Sequence, residues 1–200
     1  GRLARASGTD VAGLAGAAAQ LANGLGDVPD KARIVEGALR VVAQQGKLGS
    51  VEIKDLAIHM GKFASKAQFY EGSRQDAMAT LGALAQLSMK GGASTAAEAA
   101  SAAGNFNRDI AQKKAGKAFD KYGVKRYEKD GKVRDPAEII IDALKATGGN
   151  GQKLQEMFTN QSSRKGVLGA ASTFNAAGGG EAGADAVRAE FNKLRASVSK

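Results

Sequence analysis

The sequence predicts an all-α fold: a mostly helical, Ala- and Gly-rich multi-helix domain carrying one small β-hairpin near residues 122–134. Three observations lead there. Apolar residues recur at spacings of three and four through most of the chain. The apolar stock is dominated by Ala, with seven Phe, three Tyr and no Trp in 200 residues, material that suits close helix packing better than sheets. The 27 Gly are about twice the ordinary usage and fall between periodic segments or at their ends, where they punctuate.

In chain order, residues 1–8 read as an N-terminal extension and residues 9–176 as the helical domain. Thr9 to Asn23 places Val11, Leu14, Ala18, Leu21 and Ala22 on one helical face, with Asp10 near the start and Gly24 past the end. Asp27 and Pro29 announce a second helix, in which Ile34, Ala38, Val41 and Val42 line one face until Gly46 stops it. The two form an αα-hairpin. Ser50 is a natural N-cap for a third helix, Val51 to Met60, with Phe63, Ala64, Ala67 and Phe69 as its continuation or a short further piece. Ser73 to Met89 gives the next helix through Ala77, Thr80, Leu81, Leu84 and Leu87, and Gly91-Gly92 ends it.

Thr95 followed by Glu98 has the spacing of a capping box, so a helix starts there and runs to about Lys114 with Ala99, Ala102, Ala103, Phe106 and Ile110 on one face. Ala115 to Lys121 continues it or forms a separate turn. Alternation through Val124, Arg126 and Glu128, the Asp130-Gly131 turn, and Lys132 and Arg134 predict two short strands. Asp135-Pro136 supplies an N-cap and an N1 proline for a helix with an Ile139, Ile140, Ala143, Leu144 stripe, ended by Gly148 to Gly151. Leu154, Met157 and Phe158 mark a short helix; Val167, Leu168 and Ala171 mark another running toward Asn175. Residues 177–180, with three consecutive Gly, read as a flexible joint. In the C-terminal helix, 181–200, Ala184, Val187, Phe191, Leu194 and Val198 form a heptad-like seam suited to a partner helix.

Without cysteine, disulfides and thiolate metal ligands are excluded. The longest uncharged stretch, near Val11 to Gly26, is too weakly apolar to span a bilayer, and a soluble chain is expected. Gly1 in place of a starting methionine suggests an excised or processed piece. His59, the single histidine, has no HExxH setting and reads as a packing or surface residue, so no metal site and no cofactor are expected. Glu138 is the carboxylate to test against a lysozyme-like cell-wall hydrolase, although a first-turn acid at a positive helix end explains it better. Ser162 and Ser163 lack a GxSxG context. Gly148 to Lys153 lacks the Walker spacing and reads as a loop. No catalytic residue and no small-molecule substrate are expected.

The net charge of +9 favours acidic partners. Lys113, Lys114, Lys117, Lys121, Lys125, Arg126, Lys129 and Lys132 cluster with Phe119, Tyr122 and Tyr127 between them, a candidate basic contact surface. A solvated or protein-contacting face is the leading reading. Nucleic-acid contact, by phosphate neutralisation and base stacking, is the alternative.

From Gly49 to Ala171 the order of features resembles a tailed-phage tail tape measure protein. Asp55-Leu56-Ala57 lies in one helix, Leu81-Gly82-Ala83-Leu84 in the next, and a glycine-led helix follows from Gly91-Gly92 through Ala100. Tyr122-Gly123-Val124, Asp130-Gly131, Asp135-Pro136, then Met157-Phe158 ahead of Arg164-Lys165-Gly166 continue the resemblance. Each motif is degenerate, and their order carries the weight. The long coiled-coil or hydrophobic stretches of a full tape measure are absent, so the resemblance is to a portion. It implies an assembly protein in the tail-tube lumen of the virion, made in the bacterial host cytoplasm, that sets tube length and leaves through the tube at genome delivery. Its implied partners are tail-tube or tail-tip proteins and further copies of itself, as a homo-oligomer.

Overall fold

A computed structural model describes residues 31–48, 67 and 69–195, together with 12, 15, 16, 18, 19, 22, 23 and 27. Among these, eight helices occur: α1 (Lys31–Leu48), α2 (Arg74–Lys90), α3 (Ala96–Ala111), α4 (Lys113–Lys121), α5 (Pro136–Thr147), α6 (Gly151–Met157), α7 (Gln161–Ala176) and α8 (Gly180–Arg195). The chain is all-α. Of the expected first helix, the described residues from Ala12 to Asn23 are helical, and Ala18 and Ala22 pack against the core. The expected helix at 51–60, His59, Phe63, Ala64 and residues 1–8 lie outside the described residues.

Helix α2 is the axle. It packs against α1, α3, α7 and α8, and residues 77–88 are buried without interruption. A single apolar stripe does not describe such a helix; Ala, Gly, Ser and Thr let neighbours approach from every side. Its buried hydroxyls bond within the helix, Thr80 Oγ1 to the Asp76 carbonyl at 2.9 Å and Ser88 Oγ to that of Leu84 at 2.8 Å, so they cost no unsatisfied donor. The closest neighbour is α7. A Cβ added to Gly169 would stand 2.0 Å from the Leu87 carbonyl oxygen, and one added to Gly91 would stand 1.8 Å from that of Lys165. Backbones meet at that interface because neither glycine has a side chain.

Thr95 and Asp135 cap helices as expected, and further caps occur. Ser73, Thr95, Asp135, Asn150 and Asn160 accept amide hydrogens of the first turns of α2, α3, α5, α6 and α7. At α3 the Glu98 carboxylate reaches back to the Ser94 amide at 2.7 Å, one residue before the cap, and also takes Lys165 of α7. Those contacts, Lys165 first and the Ser94 amide second, hold the Glu98 carboxyl below its ordinary 4.5. A depressed carboxyl stabilises the fold above its unfolded value and loses that contribution as pH falls through its folded one. Urea titrations at about pH 5 and about pH 3 are therefore expected to show a larger loss for the native chain than for Glu98→Gln.

Two helix boundaries differ from expectation. Gly46 does not stop α1, which continues to Leu48; one interior Gly costs only about 1 kcal/mol relative to Ala and ends a helix only where the chain also turns. Between α3 and α4, Gln112 is extended (φ −70°, ψ 133°), so α4 is separate. Phe69, expected on an apolar stripe, is 57 % exposed.

The expected hairpin is reduced to one antiparallel bridge, Tyr127 with Val133, and no strand occurs among the described residues. Arg134 N donates to the Arg126 carbonyl at 3.0 Å and Glu128 N to that of Lys132 at 2.8 Å. The same Val133 pairs in parallel with Tyr70, through Glu71 N to Val133 O at 2.8 Å and Val133 N to Phe69 O at 2.9 Å. Charged residues on both arms and a following proline leave no room for a longer ladder.

The glycine-rich residues 177–180 form a tight turn between α7 and α8. Gly179 N donates to the Phe174 carbonyl at 2.9 Å, and Gly178, Gly179 and Gly180 all have positive φ. Helix α8 folds back onto α2, α5 and α7. Its approach is close, since a Cβ on Gly183 would meet the Phe174 ring at 2.7 Å.

The sequence gives no hint of the junction below α7. Asp109 of α3, fully buried, accepts Thr159 Oγ1 at 3.1 Å, the Asn160 amide at 3.1 Å, and Ser163 Oγ. A carboxylate set at a helix N-terminus satisfies orphan donors and complements the helix dipole. Asp109→Ala strands those donors and is expected to cost about 1–3 kcal/mol in urea unfolding.

Candidate protein-contact surface

Helix α4 and the 122–134 turn carry the basic cluster, and the fold divides its members. Arg126 is structural: Nη1 donates to the Ile110 carbonyl at 2.7 Å, near the C-terminus of α3, and the guanidinium lies 5.6 Å from the Phe119 ring and 5.2 Å from that of Tyr127. Gly116 leaves room for it, since a Cβ there would approach Nη2 to 2.9 Å. Lys121 pairs with Glu156 of α6 at 2.8 Å. That hydrogen bond raises the Lys121 ammonium and lowers the Glu156 carboxyl from their ordinary values. Lys132 reaches Asp130 at 3.9 Å. Lys113, Lys117, Lys125 and Lys129 stand exposed and unpaired among the described residues. The Lys114 side chain lies outside them.

The cations border two hollows. Lys117 and Lys121, with Gln152, Gln155, Glu156 and Thr159, line one of about 560 Å³ between α4 and α6. Lys125 and Lys129 line another of about 750 Å³, between the turn and the outer face of α5, together with Arg134, Asp142 and Lys145. Sequence reasoning missed those last three. Asp142 and Lys145 form a visible polar face opposite the Ile139, Ile140, Ala143, Leu144 stripe, but nothing in the sequence says which loop that face meets.

The aromatic side chains in the cluster are engaged. Phe119 is fully buried. Tyr122 donates its hydroxyl to Glu156 at 3.1 Å and Tyr127 donates to the Ile110 carbonyl at 3.2 Å. Lys121 lies 4.9 Å from the Tyr122 ring.

The seam has its partner helices within this chain. Ala184, Val187 and Phe191 are fully buried, and Leu194 is nearly so, on the side of α8 that meets α2, α5 and α7; Val198 lies outside the described residues. Ion pairs flank it: Lys145 with Glu181 at 2.5 Å, Arg188 with Glu138 at 3.1 Å, Arg195 with Asp135 at 2.5 Å and Lys90 with Glu190 at 3.1 Å. Glu138 thus serves as an anchor between α5 and α8. Ser163 is bound to Asp109, and Asn150 fills the N-terminus of α6 with its own side chain, accepting from Gln152 and Lys153 amides at 3.0 and 3.1 Å.

Among the described residues, no group of three or more His, Cys, Asp or Glu side chains is arranged to hold a metal ion, and no helix is long and apolar enough to cross a membrane. No curated protein and no solved structure matches the chain. A family model does, over residues 1–162, and its description is phage-related minor tail protein. The match takes in the helical core from α1 to the start of α7 and the whole basic cluster, so the chain belongs to the phage-related minor tail protein family, and its role is that of a structural component of a phage tail.

Proposed function

We propose that the chain is a portion of a tail tape measure protein, an assembly template that acts through protein contacts and has no catalytic centre. In this reading it occupies the tail-tube lumen, is assembled in the host cytoplasm, contacts tail-tube or tail-tip proteins and further copies of itself, sets tube length, and leaves at genome delivery. The observation that carries it is the tail-family match over residues 1–162, joined to the ordered landmarks that resemble a tape measure protein.

Several of those landmarks among the described residues lie at structural joints. Gly123 turns the chain at φ 71° and Val124 is buried beneath it. Asp135 caps α5. Phe158 is fully buried, Arg164 ties the Phe158 and Thr159 carbonyls at 3.1 Å each, Lys165 clasps Glu98, and Gly166 lets Leu84 approach. Residues with such duties serve packing and joining, as expected of a structural template. The +9 charge supplies complementarity to an acidic tube wall.

In-frame deletions and duplications within the segment encoding residues 49–171, made in the phage genome, test the length-setting role. Electron microscopy is expected to show tails shortened by deletion and lengthened by duplication. Infectious particles with unchanged tail length in both series overturn it.

A further inference from the structure

The 750 Å³ groove between α5 and the 122–134 turn has a neutral floor and a charged rim. In the floor, Arg134 is fully committed: Nη1 to the Lys125 carbonyl at 2.8 Å and to Asp142 at 2.9 Å, Nε to Glu128 at 3.5 Å. Lys145 is held by Glu181 at 2.5 Å. On the rim, Lys125 and Lys129 are exposed and unpaired among the described residues. Tyr127, 40 % exposed, and Ala146 also line the groove. With Glu181 counted beside the lining, four cations face three carboxylates, and the surplus positive charge is carried by Lys125 and Lys129, which are exposed.

We propose that this groove docks an acidic, extended segment of a partner tail protein, whose carboxylates meet Lys125 and Lys129 and whose apolar side chains rest on Tyr127 and Ala146. The inference rests on the reading that the chain works through protein contacts, and it names the contact. Free rim ammonium groups give an acidic partner a complementary surface that needs no internal ion pair to be broken. Nucleic acid fits less well. Single-strand binding stacks successive bases on free aromatic faces, whereas here Phe119 is buried and a cation already lies against one face of each of the Tyr122 and Tyr127 rings.

The test uses the whole chain and a fluorescein-labelled peptide of alternating Glu and Leu, read by anisotropy, with an oligothymidylate of equal length as the competing probe. Lys125→Glu with Lys129→Glu is expected to weaken peptide binding by about tenfold or more. Ala146→Trp, which fills the groove and changes no charge, is expected to do the same. Lys153→Glu with Lys193→Glu makes an equal charge change elsewhere on the exposed surface, and should leave affinity within about twofold. All four positions other than 146 are surface lysines, and circular dichroism checks that every variant folds.

Equal weakening by the Lys153 and Lys193 pair, undiminished binding to Ala146→Trp, or absence of peptide binding overturns the groove. Tighter binding of the oligothymidylate, lost with Lys125 and Lys129, overturns it in favour of nucleic acid. Should the groove variants bind the peptide as well as the native chain does, while the native chain still joins tail-tube subunits, the groove assignment fails and the structural role stands. A native chain that neither binds the peptide nor joins tail-tube subunits fails both readings.

Discussion

Phe158→Ala is expected to lower the unfolding free energy by about 3–5 kcal/mol. Phe158 is the C-cap of α6 and is fully buried. Its ring stacks on Phe106 of α3 with centroids 5.7 Å apart and meets Phe119 of α4 edge-on at 5.3 Å. One side chain thus joins three helices, and removing its ring leaves a cavity between Phe106 and Phe119 that a methyl group cannot fill. Urea unfolding followed by circular dichroism checks it; a loss under about 1 kcal/mol would mean that the triad is not the keystone.

Gly169→Ala is expected to cost about 1–3 kcal/mol or more, although it adds only a methyl group and raises helix propensity. Its new Cβ would lie 2.0 Å from the Leu87 carbonyl oxygen and 2.9 Å from the carbonyl carbon, and backbone cannot rotate away as a side chain does. Helices α2 and α7 must separate. Gly151→Ala is the matched opposite. It sits at the first position of α6, meets nothing within 4 Å and has no positive φ. Stabilisation by about 0.4–1 kcal/mol is expected there, from the lower entropy of the unfolded chain. Equal effects of the two substitutions would show that backbone contact does not set the α2–α7 spacing.

Helix ends were the most legible part of the fold. Ser73, Thr95, Asp135 and Gly148 act locally, each satisfying amides or carbonyls within four residues, so their type and position suffice to read them. The burial of every face of helix α2 is not legible in the sequence, because Ala, Gly, Ser and Thr carry too little hydrophobic contrast to show it. The turn at 177–180 looked like a linker because composition reports freedom in the unfolded chain, whereas the packing of Gly183 on Phe174 is a long-range fact. Asp109 was illegible for the same reason: its partners lie some fifty residues on. The basic cluster was visible as composition, but only the fold separates Arg126, which braces α3, from Lys125 and Lys129, which face solvent.

The most direct test of a structural role through tail-protein contacts is light scattering of the chain alone and with purified tail-tube subunits, at two salt concentrations. The account predicts self-association of the chain and specific co-assembly with the subunits, weakened as added salt screens the exposed lysines. A monomer that ignores tube protein and binds DNA with a steep salt dependence would contradict it.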